Sequence, residues 1–323
     1  MATDTLSEVL RAVRLTGAVF FTIDASAPWA AETPAAADIG TLLAPRVDHV
    51  IEYHVVITGT CWAGIVDDPA ALQLDAGDVI VFTQGDAHVM SSAPGMRCVS
   101  DLTSLQHALP TRLPIAIKKD GGGPERTQLI CGYLGCDARP FNPLLATLPR
   151  MIHLAGGAAD GSAIGQLVKL ALAESTNVAP GSEAMIAHLS ELLFVEVVRR
   201  HVATLPPENV GWLAGLRDDS VGRALGKLHE RPAHDWSLDE LARDVGMSRS
   251  VLAERFTHFV GVPAMQYLMQ WRMQLAATLL STSSFGLDDI AARVGYSSQT
   301  ALSRAYKRWV GVAPADWRQG KRA

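Results

Sequence analysis

Gln299, Thr300, Ser303, Arg304 and Lys307 stand at spacings that a helix would line up along one side, with Arg308 beside them. Gln can pair bidentately with adenine, Arg with guanine, and Ser or Thr with several base edges in a DNA major groove. Fifty residues earlier, Arg249, Ser250, Ala253, Glu254 and Thr257 hold the corresponding places. Arg249, Lys307 and Arg308 suit phosphates. Glu254 either accepts from cytosine or holds a neighbouring arginine, the second being the plainer role.

A second group of residues with chemical capacity lies far upstream. Glu52 and His54 are two apart, so a strand would turn both to one face. His88 follows the run Gly77–Gly85, and Cys61, Cys98, Cys131 and Cys136 complete the set. Cys131 and Cys136 are not at zinc-ribbon spacing. A buried cysteine is most often a small hydrophobe. A redox sensor would need a thiolate held by positive charge, which His54 or His88 would have to supply to Cys61 or Cys131. A third use is a soft divalent metal held by His54, His88 and one cysteine.

The elements that must carry the first group repeat. Leu238–Gly246 matches Leu287–Gly295 at an offset of 49, and after one inserted residue the match continues at 50. Leu252 then pairs with Leu302, Phe256 with Tyr306, Val260-Gly261-Val262 with Val310-Gly311-Val312, and Tyr267 with Trp317. Two short helices around a glycine turn are the pattern of a helix-turn-helix, and here there are two, over 237–259 and 287–309. Ser237 with Glu240 forms a capping box. Ser248 caps the second helix of the first copy, and Ser297 or Ser298 that of the second. Leu252, Phe256 and Phe259, and in the second copy Leu302, Tyr306 and Trp309, are expected inside. A first helix is expected over Arg217–Glu230. Pro263–Leu280 joins the copies as a helix without interior Gly or Pro, which would fix two readers about 34 Å apart, or roughly 10 bp.

Charge follows this division. The whole chain carries −5, but the part from Trp212 onward has 15 Lys and Arg against 11 Asp and Glu. Within Arg249–Ala323 the count is 10 against 4, so positive charge gathers where phosphate contact would need it. With 323 residues, 48% hydrophobic and 19% charged, two globular domains are expected. No apolar run approaches the ~20 residues of a membrane span. Asp4, Glu8, Arg11 and Arg14 do not suit a signal peptide, so a cytoplasmic protein is expected.

Leu6–Leu15 has helical spacing. Residues 17–135 then read as short strands between Gly, Asp and Pro turns: Val50–Ile57, Cys61–Val66, Leu72–Leu74, Val79–Phe82, His88–Met90, Met96–Leu102 and Thr127–Leu134. Such spacing suggests a sandwich or barrel. Lys118–Glu125, with three glycines, reads as a loop. Leu144–Leu148, Ile164–Ala173 and Glu183–Val202 are helical in period. The last is wide enough in its apolar side either to cover the barrel or to make a dimer surface. Residues 204–209, with Pro206 and Pro207, read as a linker.

On these residues the C-terminal part resembles the DNA-binding domain of the AraC/XylS family of transcription regulators. The resemblance runs through Ile290-Ala291, Val294–Ser298, Tyr306-Lys307, Gly311–Pro314 and Trp317-Arg318. Ala264 stands where the first copy of that family often has Pro, and Tyr306 and Trp317 replace the commoner Phe and Tyr. The resemblance implies that Ser250, Ala253, Glu254, Gln299, Thr300, Ser303 and Arg304 read bases. Gly77–His88 resembles the second motif of cupin barrels. Glu52 stands seven residues before Gly59, as in the first motif, but that motif's paired histidines would fall at Arg46 and Asp48. Residues of about 5–200 resemble the cupin sensor domain of one AraC-type branch.

The fold expected is therefore multidomain: an N-terminal cupin-like, jelly-roll β-barrel with flanking α-helices, then an all-α double helix-turn-helix domain. Boundaries fall at 1–204, 205–211 and 212–323. The expected function is a sequence-specific DNA-binding regulator answering to an effector, a metal or an oxidant. Its expected partners are double-stranded DNA, a second copy, and RNA polymerase if it activates. The alternative is a cupin-type metal-dependent enzyme with a regulatory tail.

Overall fold

In the computed structural model, residues 4–38, 48–99, 115–159, 161–176, 179–206 and 208–320 are described. They divide into two compact units, Leu15–Cys136 with Leu148–Thr204, and Met1–Arg14 with Asp137–Thr147 and Leu205–Ala323.

The first unit is built on ten strands: β1 (Thr16–Ser26), β2 (Ala30–Thr33), β3 (His49–Thr58), β4 (Thr60–Ile65), β5 (Leu72–Asp75), β6 (Val79–Phe82), β7 (His88–Ser91), β8 (Ile115–Asp120), β9 (Arg126–Cys136) and β10 (Met151–Leu154). They form two sheets, ordered β10-β6-β3-β9-β1-β8 and β2-β7-β4-β5. Every pairing is antiparallel except β1 with β8. Inner-face residues of both sheets close one core, among them Phe21, Ile23, Val56, Ile80, Phe82 and Leu129 from the larger sheet and Cys61, Ala63, Leu74 and Met90 from the smaller.

β3 is buried on both faces because the larger sheet has a helix behind it. The helices α2 (Ala163–Thr176) and α3 (Ser182–Thr204) belong to this unit, and α3 packs on β1, β9 and β10. Tyr53, on the outer face of β3, shares a 2.7 Å hydrogen bond with Ser190 of α3. The apolar side of α3 splits in two. Ile186, Leu189, Leu193, Phe194, Val197 and Val198 are buried, whereas Met185 and Leu192 stay exposed.

The second unit holds α1 (Thr5–Ala12), α4 (Trp212–Arg217), α5 (Asp219–Glu230), α6 (Leu238–Asp244), α7 (Arg249–Val260), α8 (Ala264–Thr282), α9 (Leu287–Arg293), α10 (Gln299–Val310) and α11 (Pro314–Gly320). Two stretches that the sequence assigns to the N-terminal part therefore pack with the C-terminal helices. Gln274 of α8 fixes both: its amide donates to the Ala12 carbonyl at 3.2 Å and accepts from the Phe141 N–H at 3.1 Å.

Five local expectations change. The helix expected over Arg217–Glu230 breaks at Asp218, whose carboxylate accepts from Ser220 and Val221 N–H and starts α5 anew. Lys118–Asp120 belong to β8 rather than a loop, because pairing with β1 uses their backbone. Residues 144–148 form a turn region rather than a helix, and Met96–Val99 are not strand. The rest of Met96–Leu102 lies outside the described residues, as does Arg46. Finally, Trp309 is 43% exposed although Phe259, its counterpart, is partly covered. The Gly211 N–H at the start of α4 donates to the Phe259 carbonyl, so α4 lies over the last turn of α7.

Candidate DNA interface and barrel site

The two helix-turn-helix modules share the hydrogen bond that closes the turn. In the first, Met247 N–H donates to the Ala242 carbonyl at 2.9 Å. In the second, Tyr296 N–H donates to Ala291 at 2.8 Å. The turns pass through Gly246 and Gly295 at φ 75° and 81°, a conformation in which a side chain is strained. Gly295 has a second constraint, since a methyl there would stand 2.8 Å from the backbone of Ala233. Ser248 Oγ accepts from Val251 N–H, and Ser298 Oγ, not Ser297, from Ala301 N–H, so each second helix starts on a serine cap. Both end on a left-handed glycine, Gly261 and Gly311.

With Leu252 and Phe256 turned inward, α7 exposes Arg249, Ser250 and Glu254 and leaves Ala253 half-buried. With Leu302 and Tyr306 inward, α10 exposes Gln299, Thr300, Arg304, Lys307 and Arg308, and Ser303 is half-buried. Ser298 is exposed at the cap. Three other basic side chains of the unit are committed to structure. Arg255 pairs with Asp218, Arg272 donates to the carbonyls of Pro232 and His234 at 2.7 Å each, and Arg318 donates to that of Phe285. Among the described residues, the side chains of Gln299, Thr300, Arg304, Lys307 and Arg308 make no hydrogen bond within the chain. Arg249 has a 3.5 Å ion pair with Asp239, both exposed, worth little in water. Glu254 holds no arginine among the described residues, which corrects the plainer expectation for it.

The rod between the modules is α8, 19 residues and therefore about 28 Å long. Met273, Ala276, Ala277 and Leu280 enter the second module's core with Ile290, Val294, Leu302 and Tyr306. Tyr267, one helical stretch earlier, is the hub of the first module. Its hydroxyl accepts from Trp212 Nε1–H at 2.7 Å and lies 2.8 Å from His229 Nε2. Burial depresses His229 to about 3, so it is neutral and accepts the tyrosine proton.

Inside the barrel the alternation of β3 sends Glu52 and His54 to the inner face, and His88 opens β7 in the opposite sheet. His54 Nε2 and His88 Nε2 are 2.8 Å apart, and His88 Nε2 is 3.4 Å from Glu52 Oε2. Phe82 stacks on the His88 ring at 3.9 Å between centroids. All three polar groups are buried. Desolvation raises Glu52 well above the usual carboxylate range, lowers His54 well below the imidazole range, and brings His88 down to about 4. Burial thus disfavours the charged forms that an ion pair between His88 and Glu52 would need. Two imidazoles and one carboxyl within 4.8 Å of one another fit a metal ion by donor type.

The cysteines do not join this cluster. Cys61, Cys131 and Cys136 are buried, Cys98 is partly exposed, and none of the four forms a disulfide. Burial pushes the Cys61 thiol up to about 12 and that of Cys131 well above its usual value. A thiolate at Cys61 or Cys131, the condition for the redox alternative, is disfavoured here, since both sulfurs sit in the apolar core where the anion loses its hydration. Glu52 was recognisable from its spacing to His54 and to Gly59, but only the facing of the two sheets shows that it converges with His88.

A two-sheet barrel with helices, joined to a duplicated helix-turn-helix on a shared rod, defines a class: a regulator with one DNA-binding part and one barrel. Residues 4–203 match a family model described as Cupin, and residues 241–320 one described as Helix-turn-helix domain. An AraC-like transcription regulator of Streptomyces antibioticus is 33% identical over 280 residues, covering 82% of this chain and 92% of that one. The transcriptional regulator AlkR of Acinetobacter baylyi is 30% identical over 82% of this chain and 87% of its own length. The solved DNA-binding domain of AdpA, in complex with a target DNA, is 30% identical over 32% of this chain and 95% of that one, with a TM-score of 0.31. The chain belongs to the AraC-type family of transcription regulators, with an N-terminal cupin domain, and it is a DNA-binding transcription regulator. Among the described residues, no helix is long and apolar enough to cross a membrane.

Proposed function

We propose that this regulator reads its operator with the exposed polar faces of α7 and α10 and receives its signal inside the cupin barrel. Ser250, Ala253, Glu254, Gln299, Thr300, Ser303 and Arg304 contact base edges. Arg249, Ser298, Lys307 and Arg308 contact phosphates. The observation that carries this is the uncommitted state of the α10 side chains, set against Arg255, Arg272 and Arg318, which are spent on the fold. Donors without an internal partner are free to pair with bases.

The protein acts in the cytoplasm as a homodimer and meets RNA polymerase if it activates. The signal shifts a population of arrangements, which requires that it bind one of them better than another. An enzymatic role is not favoured by relatives that are transcription regulators.

Random-site selection followed by gel shift tests the reading. Arg304→Ala is expected to cost about 1–3 kcal/mol and to relax preference at one base position, whereas Lys307→Ala weakens all sequences alike and lowers the salt slope by about 1. Selection that yields no preferred sequence, or an Arg304→Ala protein with unchanged affinity and preference, overturns it.

A further inference from the structure

The two helix-turn-helix modules meet at a second place besides the rod α8. Arg272 stands halfway along α8, between Trp271, which lies against His229 of the first module, and Met273, which enters the core of the second. Its guanidinium reaches off the rod to the loop between α5 and α6, donating to the carbonyls of Pro232 and His234 at 2.7 Å each. The same guanidinium lies 5.9 Å from the centre of the Tyr296 ring, in the turn between α9 and α10. Ala233 of the loop and Gly295 of the turn approach so closely that a methyl on Gly295 would stand 2.8 Å from the Ala233 backbone and 2.8 Å from the guanidinium. The loop is braced in its own right. His234 accepts from Arg231 at Nδ1, 3.0 Å, and donates from Nε2 to Glu240 of α6, 2.8 Å. Trp236 Nε1–H donates to the Arg231 carbonyl at 3.1 Å. A continuous set of polar contacts thus runs from α6 of one module to the turn of the other.

Long helices curve rather than stay straight, so a rod alone leaves its two ends some freedom to rock. A second tie, placed off the rod axis, removes that freedom. We propose that Arg272 is the positioning residue that fixes the angle between α7 and α10 and, through it, the separation of the two half-sites that the protein accepts on DNA. The consequence for DNA rests on α7 and α10 being the readers, as proposed above; the fixed angle does not. Arginine suits the place because its planar fork serves two carbonyls at once while its plane packs on an aromatic ring, which the point charge of a lysine does not reproduce. One base pair added between the half-sites turns one of them by about 36° and shifts it by about 3.4 Å. A rigid pair then seats only one of its two reading helices and loses the base contacts of the other.

Two measurements on the full chain test this. In a Cys98→Ser background, spin labels at His258→Cys of α7 and Asp316→Cys of α11, both exposed and outside the proposed DNA face, report the distance between the modules without DNA. One narrow distance is expected with Arg272 in place and a broad distribution in Arg272→Met, which keeps the stem and removes the fork; Arg272→Lys should fall between. The second measurement is a ratio, the affinity for a selected operator over that for the same operator with one base pair added between its half-sites. It should be at least about tenfold for the unaltered chain and fall below about threefold for Arg272→Met. A mere loss of folded protein would lower both affinities alike and leave this ratio unmoved. A broad distance in the chain that keeps Arg272 overturns the proposal, as does a ratio near one in the unaltered chain, or equal distances or equal ratios with and without Arg272. Loss of fold in both variants overturns it too, because Arg272 would then hold the modules up rather than set their angle. Distances that change from narrow to broad, in a chain that binds no DNA sequence specifically, remove the regulator reading and leave the fixed angle standing.

Discussion

Acidification from pH 7 to pH 5 should weaken the DNA-binding unit through one residue, His229. It is buried among α5 and α8, lies tilted against the Trp271 ring at 4.2 Å between centroids and accepts from Tyr267. Its folded value of about 3 lies below the ordinary 6.5, so the unfolded chain takes up the proton first as pH falls. Stability is then whole above pH 6.5 and declines between 6.5 and about 3. The slope is about 1.4 kcal/mol per pH unit once the unfolded histidine is charged, so the loss by pH 5 is about 2 kcal/mol. Five of the seven tryptophans lie from Trp212 onward, so urea unfolding followed by tryptophan fluorescence weights this unit. His54 and His88 titrate in the same sense, and comparison with His229→Gln removes their contribution. The wild type should lose about 2 kcal/mol more than His229→Gln over this interval. Identical pH slopes for the two proteins would refute the reasoning.

Other outcomes follow from the same geometry. Tyr267→Phe strands Trp212 Nε1 and His229 Nε2 in the core and should cost about 2–4 kcal/mol in denaturant melts. Gly246→Ala meets only its φ and should cost about 1–2 kcal/mol. Gly295→Ala also collides with Ala233 and should cost about 1–3 kcal/mol beyond that, so equal melting points would count against the close approach. Ser298→Ala removes the cap of α10 and should cost about 1 kcal/mol. A thiol reagent at pH 8 should label Cys98 alone in the folded chain, and fast labelling of Cys131 would contradict its burial.

Repetition made the C-terminal fold legible. Two copies at a nearly fixed offset placed the turn glycines, the serine caps and the inward residues Leu252, Phe256, Leu302 and Tyr306 where the structure has them. Trp309 escaped because its periodicity is right while its cover is missing: α4 lies over the first copy's last turn. In the barrel, strand alternation put Glu52 with His54, but which strand brings the third donor depends on how the two sheets face each other, which no local pattern states. The break at Asp218 is local chemistry that a helical period hides. The partners of Gln274 could not be read at all, since Ala12 and Phe141 lie more than a hundred residues away.

The path of the chain makes Gln274 more than a packing detail. Because Met1–Arg14 and Asp137–Thr147 lie with the C-terminal helices, the backbone crosses between the units four times. A protease nick near Leu205 would therefore leave two fragments still clasped together through the Ala12 carbonyl and the Phe141 amide, co-eluting until denaturant is added. A fragment begun at residue 205 would lack both halves of that clasp, with one face of α8 laid bare.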